Sequence, residues 1–321
     1  MDENLLYNMY RFMACKDLFK RISNIPYAVV KGEALSLAAY GRPGKRSYSD
    51  IDLLVPKGYL EEVEEELCKS GFVQADVKRR DRIYLLLNSH QVPPWIKKCG
   101  ENIYACIDVN FDILWGEYEE ERIDIDEFLA DTVDTKIFGV SVKCLTPIKT
   151  LLQVAMHHYR DMNSIYLLAT KKTIRRRMFE EIYHLIINNQ SEISPDGLEE
   201  LCCKYHIKSY MYYMLYYTAE VVGDVKIKDY ADKLRDRQGE ELLPLYGLCQ
   251  SERRPWKIDF AMRLNEDCLF PYMSEELTRD DLKKIEINRA LFQKGTIGCG
   301  ETVGMEKKLS WGELWKVDRK I

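Results

Sequence analysis

Ser49-Asp50-Ile51-Asp52-Leu53-Leu54-Val55 reads as an apolar strand with two carboxylates on one face. Side chains alternate along a strand, so Asp50 and Asp52 point one way while Ile51, Leu53 and Val55 point the other. The apolar set can enter a core, which leaves the acids expected on an exposed face. Two like charges held that close are unfavourable unless a cation or an acid-binding role compensates them. Hard oxygen ligands of this kind suit Mg²⁺ bridged to substrate phosphates.

Two acids carry little weight in a chain with 52 Asp and Glu residues among 321, so a third is needed. Ala105-Cys106-Ile107-Asp108-Val109-Asn110-Phe111-Asp112-Ile113-Leu114-Trp115 supplies it. Ile107, Val109, Phe111 and Ile113 form a period-two apolar face opposite Cys106, Asp108, Asn110 and Asp112. If this strand lies beside the first, Asp108 completes a three-carboxylate cluster able to hold two metal ions about 3.5–4 Å apart for in-line displacement at phosphorus. Asp112 shares that face and is the rival candidate.

Upstream, Val29-Val30-Lys31-Gly32-Glu33-Ala34-Leu35 ends a short strand and opens a helix whose first amides favour an anion, with Lys31 beside them. Arg42, Pro43, Gly44, Lys45 and Arg46 then form a basic turn leading into the carboxylate strand. Arg46 can bind phosphate oxygens through its fork. Lys31 has a salt-bridge alternative to a phosphate role. Glu33 can be read as a helix-start acid favoured by the macrodipole.

Lys31-Gly32, then Tyr40, Arg46 and Asp50-Ile51-Asp52-Leu53-Leu54-Val55, resemble the nucleotidyltransferase superfamily. The likeness is strongest to a poorly characterised bacterial group with Lys-Gly, Asp-x-Asp-Leu-Leu-Val and a later Asp-x-His-Trp pattern. The resemblance implies an α+β fold, with an N-terminal mixed-sheet catalytic domain over 1–145 and an α-helical bundle domain with a loose tail over 146–321. It implies that Asp50, Asp52 and Asp108 are catalytic metal ligands and that Lys31, Gly32 and Arg46 bind the nucleotide. The implied reaction is metal-dependent transfer of a nucleoside monophosphate, AMP from ATP in the simplest case, to a hydroxyl of a small molecule or protein, with two Mg²⁺ ions and ATP or another nucleoside triphosphate. This chain departs from the pattern twice. Glu33 stands where many members have Ser, and Asn110 stands where the group has His, keeping a hydrogen-bonding group without a proton shuttle. A catalytically silent fold that binds a nucleotide or a protein is the alternative.

The net charge of −5 argues against broad nucleic-acid binding, which shows as a basic excess or stripe. Ten scattered cysteines without zinc spacing read as reduced thiols of a cytoplasmic protein. No apolar run approaches a membrane span.

The remaining pattern predicts helices over 4–23 and 59–70 and strands over 27–30, 83–87, 105–115 and 135–142. Thr146-Pro147 opens a helical half, with further helices over 175–188, 197–204, 210–222 and 228–237. The segment 294–304 reads as loop. His157 and His158 read as structural, Lys171 to Arg177 as a solvated basic helix start, and Glu117 to Glu121 as exposed. Tyr210, Tyr212, Tyr213, Tyr216 and Tyr217 read as interhelical packing.

Overall fold

The computed structural model describes residues 3–46, 48–74, 89–101, 103–116, 118–170 and 173–297. The chain divides into two units that part between Thr146 and Pro147, except that 118–123 group with the second and 292–297, the end of the last helix, with the first. The first is built on a mixed sheet. Its elements are α1 (Glu3–Ala14), α2 (Lys16–Arg21), β1 (Ala28–Val30), α3 (Gly32–Tyr40), β2 (Ile51–Leu54), α4 (Leu60–Lys69), β3 (Val73–Gln74), β4 (Trp95–Lys98), β5 (Tyr104–Asn110), α5 (Ile125–Phe128), β6 (Val133–Ile137) and β7 (Val140–Cys144). The expected strand over 83–87 lies outside the described residues.

The seven strands lie in the order β3-β4-β5-β2-β1-β7-β6. β2 runs antiparallel to β1 and parallel to β5, and β1 runs parallel to β7. Ile51, Leu53, Val55, Ile107 and Val109 enter one core with Phe12, Leu18, Phe19 and Ile22 of the N-terminal helices and Val63 and Leu67 of α4. The alternation of β2 therefore sets its core face as the sequence implies. The opposite face is not open, however: Val30, Asp52 and Leu54 are buried as well. β2 is the fourth of seven strands, and a strand of a mixed sheet is buried on both faces where packing covers both.

Three predicted elements of this unit differ in extent. The helix expected over 4–23 is two helices, broken at Cys15. β5 stops at Asn110, because the Asp112 carboxylate accepts the Leu114 amide at 2.9 Å and turns the chain. The apolar alternation through Ile113 thus continues past the strand it suggests. The strand expected over 135–142 is a hairpin, turning at Phe138 (φ 50°) and Gly139 (φ 78°) with Ile137 paired to Val140. Two consecutive left-handed residues make the turn whose twist suits a two-residue hairpin. Nothing lies within 4 Å of a Cβ built on Gly139, so Gly139→Ala should cost only its backbone strain, about 1 kcal/mol, measured as a lowered unfolding free energy in urea.

The second unit is helical: α6 (Pro147–Asn163), α7 (Ile165–Thr170), α8 (Arg176–Asn188), α9 (Pro195–Lys204), α10 (Lys208–Val222), α11 (Val225–Leu234), α12 (Arg237–Leu242), α13 (Phe260–Asn265) and α14 (Arg279–Ile297), with a short β8 (Leu245–Tyr246) and β9 (Arg254–Pro255) pair. α14 covers 294–297, read from sequence as loop, and the rest of that glycine-rich stretch lies outside the described residues.

Tyr210, Tyr212, Tyr213 and Tyr217 of α10 are buried, and Tyr216 is half-buried. Tyr210 and Tyr213 meet Tyr159 edge to face at 4.8 and 5.0 Å, and Tyr217 stacks on Phe260 at 4.0 Å. His158 is buried against Glu181 at 3.1 Å, while Asp161 lies 3.6 Å from the half-buried His157. Lys171 and Lys172 are outside the described residues. Arg176 and Arg177 pair within α8 with Glu180 and Glu181. Among the described residues no helix is long and apolar enough to cross a membrane.

Candidate active site

β1 ends in a backbone conformation that few side chains adopt. Lys31 has φ 54° and ψ −149°, and Gly32, the first residue of α3, has φ 37°. A non-glycine residue held there stores of the order of 1–3 kcal/mol, a cost that recurs at functional sites. The conformation turns the chain sharply from strand into helix and sends the Lys31 side chain to the neighbouring strand. Its Nζ donates to Asp52 Oδ1 at 2.7 Å, with the two side chains 11% and 7% exposed. The sequence left Lys31 divided between phosphate and salt bridge; here it makes the salt bridge.

The pairing of β2 with β5 sets Asp52 opposite Asp108. Neighbours in register on parallel strands project to the same face. Asp50, two residues before Asp52, lies in the bend leading into β2. The acids expected on an exposed face are instead withdrawn from solvent to different degrees, Asp52 buried and the other two half-buried.

Enclosure and mutual repulsion show in their acidities. Burial, followed by the charges of Asp52 and Asp50, pushes the Asp108 carboxyl up to about 7. Burial and then Asp52 raise Asp50 as well, with Lys31 opposing. Such shifts report a group of acids short of positive charge.

Asn110, the residue standing in place of His, has a definite role. Its Nδ2 donates to Asp52 Oδ1, to Leu53 O and to Asp108 O, each at 3.2 Å, so it fixes β2 against β5 at the site. Gln91 donates to Asp108 Oδ2 at 3.4 Å. Asp112 lies beyond β5 and caps its own turn, so the register brings Asp108 rather than its rival beside Asp52.

Glu33 lies in the first turn of α3, as the sequence reads it, but its carboxylate is buried there. It is 2% exposed and accepts from Asn8 Nδ2 at 2.9 Å and from the Gly44 amide at 2.6 Å. Burial raises its pKa above the ordinary carboxylate value, against those two bonds and the nearby Arg46 charge. Arg46 thus sits beside Glu33, and its carbonyl accepts from Asn8 Nδ2 at 2.9 Å. Asn8 and Gln91 escaped the sequence reading because each reaches the site from a remote segment, and an isolated amide carries no periodic signal.

Three carboxylates have the donor chemistry for Mg²⁺. As the side chains stand, no three His, Cys, Asp or Glu among the described residues form a group that could hold a metal ion. In this arrangement the positive charge at Asp52 is the Lys31 ammonium.

Comparison with solved structures finds an antigenic nucleotidyltransferase-like protein from Paracoccidioides brasiliensis, 14% identical, with 78% of this chain and 98% of that one covered and a TM-score of 0.41. No curated protein matches. A family model described as "Uncharacterised nucleotidyltransferase" matches residues 13–223, from within α1 through the end of α10, and the chain belongs to that nucleotidyltransferase family.

Proposed function

We propose that this protein transfers a nucleoside monophosphate, most simply AMP from ATP, to a hydroxyl of a small molecule or protein and releases pyrophosphate. The observation that carries this reading is the register of Asp52 with Asp108, with Asp50 two residues before Asp52 and Lys31 bonded to Asp52. Asp50, Asp52 and Asp108 would hold Mg²⁺, as two ions, which when bound neutralises phosphate charge and polarises the reacting phosphorus centre.

The chain's own groups divide the remaining work. Lys31, the Gly32 amide at the start of α3, and Arg46 neutralise the triphosphate. Asp108 stands near neutrality and can take the acceptor proton as the acceptor oxygen bonds to the α-phosphorus and the bond to the pyrophosphate oxygen breaks. Such a general base contributes about 10²–10⁴-fold. Asn110, an amide, leaves the proton to Asp108 and keeps Asp52 oriented.

A thermal-shift screen of ATP, GTP, CTP and UTP, each with Mg²⁺ and with EDTA, tests the reading. At about 100 times its dissociation constant the cognate nucleotide should add roughly 2.7 kcal/mol with Mg²⁺ and little with EDTA. The gain should vanish in Asp50→Asn, which relieves repulsion and keeps the fold. Absence of any nucleotide effect would defeat the proposal. Binding that is indifferent to Mg²⁺ and to Asp50 would favour the silent, nucleotide-binding reading. That second reading draws support from Asp52, whose Oδ1 is already engaged by Lys31 and Asn110.

A further inference from the structure

Buried side chains hold the backbone of one basic turn at four points. Ser36 Oγ donates to Arg42 O at 3.0 Å and accepts the Lys45 amide at 2.9 Å. Glu33 Oε2 accepts the Gly44 amide at 2.6 Å, and Asn8 Nδ2 donates to Arg46 O at 2.9 Å. Asn8 also donates to Glu33 Oε1 at 2.9 Å, so the tethers from α1 and α3 are joined through one carboxylate. Ser36, Glu33 and Asn8 are at most 2% exposed, while Arg42 and Lys45 stand exposed on the turn they hold.

A five-residue segment with three cations repels itself, and fixing it on the protein before a ligand arrives removes an ordering cost from binding. We propose that Glu33 is a positioning residue that fixes the Arg42–Arg46 turn as a preformed clamp for the phosphate tail of the nucleotide, an inference that rests on the nucleotidyl-transfer reading. The residue type is specific. A carboxylate is acceptor-only and offers one oxygen to each of its two donors. A Gln side chain must turn an NH₂ toward either Gly44 N or Asn8 Nδ2, both of which donate, and so breaks the junction in either orientation.

The test uses the full chain as wild type, Glu33→Gln and Ser36→Ala, with amide hydrogen exchange read over 41–46 and Mg²⁺·ATP binding read by calorimetry as a function of salt. Glu33→Gln should speed exchange of the Gly44 amide and weaken Mg²⁺·ATP binding, each by about tenfold, the scale of a lost hydrogen bond to a charged group, with a flatter salt dependence. In turnover, the change should fall on the KM for nucleotide rather than on kcat. Ser36→Ala, which leaves Glu33 in place, should do the same at Lys45 and decides the matter if Glu33→Gln does not fold.

Wild-type affinity in a variant whose turn exchanges faster overturns the clamp, as does unchanged exchange. A wild type that binds no nucleoside triphosphate overturns the functional reading first and the clamp with it. A wild type that binds while Glu33→Gln binds equally well overturns the clamp alone.

Discussion

Asp52→Ala is expected to lower the unfolding free energy by about 3 kcal/mol at neutral pH, in the range seen when one partner of a buried ion pair is removed. Lys31, 11% exposed, would keep its ammonium in the protein without the carboxylate 2.7 Å away. Its backbone conformation, already in the left-handed region, limits how far the side chain can be redirected to water. Asn110 would lose one of its three acceptors at the same time. Asp52→Asn keeps an oxygen for the ammonium and should cost distinctly less. Converting both partners, Lys31→Met with Asp52→Leu, should restore most of the loss, because a buried pair replaced by apolar groups of similar size is close to neutral. Urea unfolding of the three variants measures this. A wild-type midpoint for Asp52→Ala would mean that the ammonium finds water and that the pair contributes nothing.

Its neighbour in register should behave in the opposite way. In metal-free protein, Asp108→Asn is expected to stabilise the fold by about 2 kcal/mol above pH 8, with transfer activity lost. The sign follows from the folded carboxyl being pushed up to about 7 from an ordinary 3.8. Between those values the native chain holds the proton more often than the unfolded chain, so the stability of the wild type falls as pH rises and the penalty is complete above about pH 7. The amide never ionises. The two proteins should therefore be equally stable near pH 4 and diverge as pH rises through 7, in favour of the variant. Added Mg²⁺ should narrow the gap by stabilising only the wild type. Parallel pH dependences would show that Asp108 carries no excess repulsion. The opposite signs expected at two acids in register separate the one matched by a cation from the one that is not.

The local pattern was enough to place these acids, for reasons specific to strands. Alternation put Ile51 and Leu53 in the core and Asp50 and Asp52 on the other side, and the spacing of Ile107 and Val109 did the same for Asp108. Whether that other side faces water depends on what packs over the sheet, which no single segment encodes, and Val30, Asp52 and Leu54 are buried there. Period-two alternation through Phe111 and Ile113 suggested a longer β5 because the Asp112 turn preserves the apolar pattern while ending the pairing.

The burial and partners of Glu33 were not legible for a related reason. Its helix-start position is local and visible, but its partners Asn8 and Gly44 come from segments 25 residues before it and 11 after it. The hairpin at Phe138-Gly139 was hidden because Phe is a rare choice for a left-handed turn position.

The central position of β2 and β5 has a consequence for how this protein should come apart. Sites carried on surface loops melt early, well before the body that supports them. Here Asp52 and Asp108 belong to two of the interior strands, whereas β3 and β6 form the rims. Fraying of either rim leaves Asp52 and Asp108 opposite each other, and separating them requires the middle of the sheet to part. Under rising denaturant, ligand recognition should persist until the last cooperative step, and recovery of activity on refolding should mark completion of the sheet.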